Sequence, residues 1–432
     1  MSAPGLAARQ GAAALVAGVL DRGLSLADQA DTGGGPLAAL SPSERARAQA
    51  LAAGTLRHLG RIDAVPAPFL RKPPPPAAMN ALRLAVAELN LDGVPAHAAV
   101  DGAVRLASGG KARHLAGMVN AVARRVAEGG PALWEAAPEA PLPDWLAGPV
   151  AEAWGPDALA AIAAAHRRAA PIDLTPKRPA EATDWAARLG AELLPTGSLR
   201  LAGRAQVSAL PGYEEGAWWV QDAAAALPAR LLDALDGRRA LDVCAAPGGK
   251  TLQLAAAGAM VTALDASAAR LERLMANLAR TGLAAEVVTA DALAWEPAAP
   301  FEAILVDAPC SASGTIRRHP DLPHLRTGRE LGPLLALQQA LLDRAWGWLA
   351  PGGRLVWCVC SLLPAEGEAQ LARFLAATPE ARVVPPDPAA LGLEPGWIDA
   401  AGGLRLRPDH WPERGGMDGF YAACLSKPAD PA

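Results

Sequence analysis

From about residue 216 onward, short β-like runs alternate with helical runs, and no other feature limits the fold of this chain as strongly. Arg239–Val243, Ala259–Leu264, Ala285–Thr289, Ala303–Val306 and Arg354–Val359 have the length and apolar content of buried strands, and Gly419–Leu425 supplies a late, short one. Helical periodicity fills the gaps from Lys250, from Ser267 to Arg280 and from Leu334 to Leu349. The alternation predicts a doubly wound α/β sheet over 216–432, a fold that binds ligands in the crevice at the carboxyl ends of its strands.

The first of these strands runs into a loop suited to that crevice. Cys244-Ala245-Ala246-Pro247-Gly248-Gly249-Lys250-Thr251 is a small-residue loop followed by a helix start. Small residues let the backbone approach a ligand closely, and a helix start offers unpaired N–H groups. The phosphate-loop pattern fails by one residue, because Cys244 stands where its first glycine is required, and G-x-G-x-x-G is absent. Asp265 lies 22 residues after Val243, where an acid holds ribose hydroxyls in nucleotide-binding sheets. Asp291 and Asp307 follow the next two strands. A single acid at a strand end most often caps a helix. Three in register with a glycine-rich loop point to a ligand site.

The front of the chain reads differently. Residues 1–130 carry only helical periodicity, in Ala7–Leu20, Ser43–Leu59, Ala77–Leu89, Val94–Leu106 and Leu115–Val126. Ser41-Pro42-Ser43-Glu44 is a helix start, with Ser41 as the cap and Glu44 placed to close a capping box. Gly129–Pro143 holds two glycines and four prolines and is the expected linker. The remainder, to 215, mixes helical pieces with short apolar runs, as a small α+β unit would. Three domains are therefore expected, at 1–130, 131–215 and 216–432.

Charge follows this division. The net charge of −4 and pI of about 6.0 argue against a generally basic nucleic-acid binder. Yet residues 1–130 hold 14 Lys and Arg against 9 Asp and Glu, and the rest holds 26 against 35. The two parts are built for different partners. The five cysteines form no CxxC pair and the seven histidines show no metal spacing, so a reducing compartment, the cytoplasm, is expected. Gln10–Leu20 is too short to span a bilayer and is read as an amphipathic helix, with no membrane partner expected.

CAAPGGKT, DAPCSASGTIRRHPD at 307–321 and CSLLPAEGE at 360–368 resemble the S-adenosylmethionine-dependent RNA cytosine methyltransferases of the Sun/RsmB type. The runs ARQGAAALVAGVL and ERARAQALAAGTLRHLGRID resemble the NusB-like RNA-binding domain that such enzymes carry. The resemblance covers nearly the whole chain. It implies an all-α NusB-like front, a small α+β middle and a Rossmann-like class I methyltransferase domain, with S-adenosyl-L-methionine as cofactor. The expected partner is RNA, 16S rRNA through the NusB-like front, with tRNA as the alternative, and not DNA. A monomer is expected. A rival from another class is a NusB-like RNA binder whose methyltransferase half is silent.

Cytosine carbon-5 is a poor nucleophile, and a thiolate that adds to carbon-6 makes it enamine-like. A base must later remove the carbon-5 proton. The resemblance implies Cys360 as nucleophile, Cys310 as the cysteine that assists release, and Asp307 as the acid on the cytosine edge. In DNA cytosine methyltransferases the Pro-Cys cysteine, here Cys310, is the nucleophile; having both cysteines points to the RNA enzymes. The same resemblance makes Cys244, Ala245, Ala246, Pro247, Gly248, Gly249, Lys250, Asp265, Asp291 and Asp307 the donor-binding positions, with Asp265 at the ribose and Asp291 by the adenine. Cys244, Cys358 and Cys424 read as structural. Val359 and Gly367 depart from the family's usual Thr and Asn. Arg317, Arg318 and His319 follow the catalytic loop as candidates for RNA phosphates, equally readable as a solvated basic turn. Lys177-Arg178 and Arg124-Arg125 are weaker candidates. Trp218-Trp219 reads as packing.

Overall fold

Alanine-rich helices build the N-terminal part of the chain. The computed structural model describes residues 5–31, 34–109, 112–203 and 205–429. Residues 5–147 and Ile316–Thr327 form one unit; Gly148–Thr315 and residues 328–429 form a second.

In the first unit the main helices are Leu6–Arg22, Pro42–Arg57, Pro76–Asn90, Ala96–Ser108 and Ala116–Ala136. Ala8, Ala12, Leu15 and Val19 face a core shared with Ala52, Leu56, Ala85 and Val122. Small residues let these helices approach closely. At Gly11 an added Cβ would lie 3.0 Å from methyl carbons of Leu37 and Leu40. The capping box forms as the sequence predicts, with Ser41 accepting from the Glu44 N–H and Glu44 accepting from the Ser41 N–H. Arg9 is buried against Glu88 at 2.9 Å, and Glu88 also binds Arg47 at 3.1 Å.

Two features of this unit depart from the sequence reading. Gly129–Pro143 is not a linker throughout: helix runs on to Ala136, interrupted only at Gly130, whose φ of 56° is open to glycine, after which Pro131 begins a new turn. Ile316–Thr327, remote in sequence, is built into the helical unit. Arg57 donates to the Arg317 carbonyl at 2.8 Å, the Leu26 N–H donates to Asp321 at 2.8 Å, and His324 Nε2 lies 3.0 Å from the Leu56 carbonyl. Among the described residues no helix is long and apolar enough to cross a membrane.

The second unit contains two sheets. The smaller is antiparallel, in the order β2-β3-β1-β4, from β1 (Asp173–Pro176), β2 (Glu192–Leu193), β3 (Leu199–Arg200) and β4 (Trp218–Val220). With the helix Ala182–Leu189 it makes a small α+β element, whose strand β4 lies past residue 215, outside the 131–215 segment expected to hold it. Trp218 and Trp219 are both buried, as packing residues. Asp173, wholly buried, takes both Nε and Nη2 of Arg200 at 2.7 Å and the Ala223 N–H at 3.1 Å.

The larger sheet comprises β5 (Arg239–Val243), β6 (Met260–Asp265), β7 (Glu286–Thr289), β8 (Phe301–Asp307), β9 (Leu349–Val359), β10 (Arg382–Val383), β11 (Leu404–Leu406) and β12 (Phe420–Ser426). Its order is β10-β12-β9-β8-β5-β6-β7, with β11 paired to β12. The strands from β9 to β7 are parallel, and β12 runs antiparallel to β9. Helices cover both faces of a parallel sheet, so Leu241, Ile304, Leu305 and Val356 are fully buried. The chain leaves β5 toward β6 and β7, then returns to β8 on the other side. That switch point opens a crevice at the carboxyl ends of β5 and β8.

Replacing Asp173 with alanine leaves the Arg200 guanidinium buried without a counter-charge. Denaturant unfolding is expected to show Asp173→Ala less stable by about 3–5 kcal/mol.

Candidate active site

The crevice is lined first by the loop after β5. Cys244 takes a positive φ of 61°, and Gly248 lies at φ 108°, where a Cβ would also come within 2.9 Å of Leu274. Glycine is therefore required at 248. Asp265, at the end of β6, steadies the loop: it accepts the Ala246 N–H at 3.1 Å and the Ser267 N–H at 2.9 Å. Asp291 is exposed beyond β7 and caps its own turn through the Leu293 N–H. Burial pushes the Cys244 thiol up to about 12, which leaves it inert.

Lys250, which the sequence assigns to the donor loop, turns its ammonium to Asp307. The Lys250 Nζ to Asp307 Oδ2 distance is 2.7 Å. Burial works to lower the lysine pKa, but the Asp307 carboxylate outweighs it, and the ammonium is held charged above its usual range. The other Asp307 oxygen lies 3.6 Å from Cys358 Sγ. Burial and the Asp307 charge push the Cys358 thiol well up, in keeping with a structural cysteine.

The two remaining candidate cysteines meet. Cys310 Sγ and Cys360 Sγ are 3.4 Å apart, on the loops that follow β8 and β9. The Cys310 thiol is raised well above its ordinary value, first by its hydrogen bond to Cys360, then by burial and by the charges of Cys360 and Glu366. Either sulfur can be the donor of the 3.4 Å contact, which brings both candidate thiols to one point of the crevice.

Sequence reasoning missed the group that joins these loops. Glu366 is wholly buried, and four donors converge on it: the Ser311 N–H at 2.8 Å, Gln338 Nε2 at 3.0 Å, and the hydroxyls of Ser311 and Ser361 at 2.5 Å each. The serine after each cysteine was the available signal, but only the fold shows that both serines face one carboxylate. Gly367 is also explained. An added Cβ would lie 2.6 Å from Arg405 Nη2 and 2.7 Å from Tyr421 Cγ, so Arg405 and Tyr421 fill the space a side chain there would take. Arg405 in turn donates to the Ser361 carbonyl at 2.6 Å.

The basic candidates divide. Arg317 is 1% exposed inside the helical unit and is not a surface phosphate contact. Its neighbours differ: Arg318 is half-buried and His319 exposed. Lys177 donates to the Thr281 carbonyl and Arg178 pairs with Glu181, so both have protein partners. Arg124 and Arg125 are exposed.

Asp242, beneath the loop, is fully buried with one oxygen bonded to Thr251 at 2.6 Å and the other unpartnered. Burial pushes its carboxyl up to about 7, against the opposing Thr251 bond. In the unfolded chain it ionises near pH 4. The folded state therefore keeps a proton between about pH 4 and 7 that the unfolded chain releases. The group's contribution to stability is complete below about pH 4 and is lost as pH rises through about 7. Asp242→Asn removes this loss, so its melting temperature relative to the parent is expected to climb from pH 4 to pH 7.5 in thermal scans.

Comparison with known proteins places this geometry. Residues 229–426 match the model of the family described as 16S rRNA methyltransferase RsmB/F, and residues 6–128 match that of the NusB family. The chain is 36% identical to the ribosomal RNA small subunit methyltransferase B of Xanthomonas campestris pv. campestris, over 99% of this chain and 98% of that protein. It is 37% identical to the protein of the same name from Pseudomonas syringae pv. tomato, over 98% and 97%. Among solved structures, PH0851 superposes with a TM-score of 0.72 at 22% identity, over 99% of this chain and all of that one, and so shares the fold.

Proposed function

The chain belongs to the RsmB/F family of 16S rRNA methyltransferases, and from that premise we propose that Cys360 and Cys310 carry out methylation of carbon-5 of a cytosine in 16S rRNA. The observation that supports this reading is the 3.4 Å approach of the two thiols beside the Lys250–Asp307 pair.

The donor is S-adenosyl-L-methionine, and the crevice residues fit it. Gly248 clears backbone space that a Cβ would occupy, and the helix that starts at Gly249 brings unpaired N–H groups to the crevice. Cys244–Gly249 would line the donor, with Asp265 at its ribose and Asp291 by its adenine. Bound there, the donor supplies an activated methyl group.

The chain's own groups do the rest. The Cys360 thiolate forms a bond to carbon-6, and the electron pair of the 5,6 double bond moves into the ring, making carbon-5 nucleophilic. Asp307 hydrogen-bonds the cytosine edge. Lys250 keeps positive charge beside the ring as negative charge develops there. Once carbon-5 carries the methyl group, a base takes its proton and passes it to solvent, the 5,6 double bond reforms, and the carbon–sulfur bond breaks with its electron pair returning to Cys360 as thiolate. Cys310, 3.4 Å from Cys360, assists that release. The basic helical front binds RNA backbone.

Cys360→Ala is expected to abolish methyl transfer. Cys310→Ala is expected to accumulate a covalent protein–RNA adduct, seen as a shifted band on a denaturing gel. The band appearing with Cys360→Ala instead would reverse the two roles. Bisulfite sequencing of a deletion strain is expected to lose one cytosine signal in 16S rRNA. A loss confined to tRNA would overturn the substrate.

A further inference from the structure

We propose that Glu366 is the positioning residue that sets the separation and direction of the Cys310 and Cys360 thiols. The proposal rests on the reading above, in which those two sulfurs are the reacting groups.

Glu366 follows Cys360 by six residues, in the turn before the helix Glu368–Ala377. Its carboxylate reaches back to the residue after each cysteine. One oxygen takes the Ser311 N–H and Gln338 Nε2; the other takes the Ser311 and Ser361 hydroxyls, which themselves lie 3.2 Å apart. Both hydroxyl contacts are 2.5 Å, at the short end of the range for O–H···O bonds. Gln338 also donates to the Pro309 carbonyl at 2.9 Å, so the residue before Cys310 is tied to the same hub. Cys310 is thus bracketed on both sides, and Cys360 is anchored through its neighbour.

All four partners of this carboxylate are neutral. A wholly buried carboxyl group is costly to place unless its oxygens are hydrogen-bonded. An apolar residue would fill the space at less cost, so what the acid adds is direction. Its two oxygens draw both hydroxyls and the rigid Ser311 N–H to one place. Each serine's backbone is then fixed next to its cysteine, and the thiols converge. Attack by Cys360 and its later release with the help of Cys310 require both sulfurs at the same base, so a small displacement of either loop separates the two steps.

The test uses the full chain with two readouts. The first is kcat and KM on a 16S rRNA transcript. The second is the rate of capture by phenylarsine oxide, which bridges two close thiols and needs no turnover; Cys310→Ser supplies the background. Glu366→Ala is expected to lower kcat about 100-fold with KM within about threefold, and to slow capture about tenfold. Glu366→Gln keeps the shape but turns one acceptor into a donor, and is expected to lower kcat about tenfold. Glu366→Gln decides the matter if the alanine variant does not fold. The proposal is overturned if kcat and capture both stay within about twofold of the parent, since a positioning loss exceeds that. It is equally overturned if kcat and melting temperature fall while capture is unchanged, because the acid then only supports the fold. A parent that binds the arsenical but does not methylate rRNA would defeat the proposed function, and the capture rates would still decide the role of Glu366.

Discussion

Asp307 and Cys358 are register partners at the carboxyl ends of β8 and β9, and the approach of the Cys310 and Cys360 thiols depends on that pairing. Parallel strands place their carboxyl ends at the same edge of a sheet. Three residues past Asp307 comes Cys310; two past Cys358 comes Cys360. The two thiols meet only because both loops start from one edge in this register. A shift of one residue would turn Cys358 and Asp307 to opposite faces and carry Cys360 away.

Around that edge the protein sets four buried or half-buried acids in different surroundings, and the surroundings decide what each acid does. Asp307 faces an ammonium. Asp265 accepts two backbone N–H groups and holds the loop after β5 in shape. Glu366 accepts four neutral donors and joins two loops. Asp242 has one hydroxyl partner and one bare oxygen, and so holds its proton toward neutral pH. The same chemistry at the ends of neighbouring elements thus yields a charge partner, a loop brace, a link between two loops and a titrating group.

Much of this was legible in the chain. The strand and helix alternation anticipated β5 through β9 and β12 because parallel strands, buried on both faces, read as short apolar runs. Cys310, Cys360, Asp307 and the loop at Cys244–Lys250 stood out because their motifs resemble those of the RNA cytosine methyltransferases. Less was legible where one residue serves two roles. Lys250 belongs to the loop motif, yet its charge goes to Asp307, since the strand that carries its partner is 57 positions away. Arg317 reads as a basic surface residue and is buried, because Ile316–Thr327 is built into a unit whose other residues end at 147. Glu366 looks like one more surface acid in PAEGE.

The sequence by itself determined the class of fold, the helical front, and the residue types able to do the chemistry, because periodicity and local motifs are encoded within a few neighbouring positions. The tertiary structure alone decided which of those residues face one another. It put the Cys310 and Cys360 sulfurs 3.4 Å apart, aimed Lys250 at Asp307 and buried Glu366 between two serines. Hydrogen bonds and charges act over a few ångströms of space, and residues 50 or more positions apart acquire such separations only when the sheet has formed and its register is set.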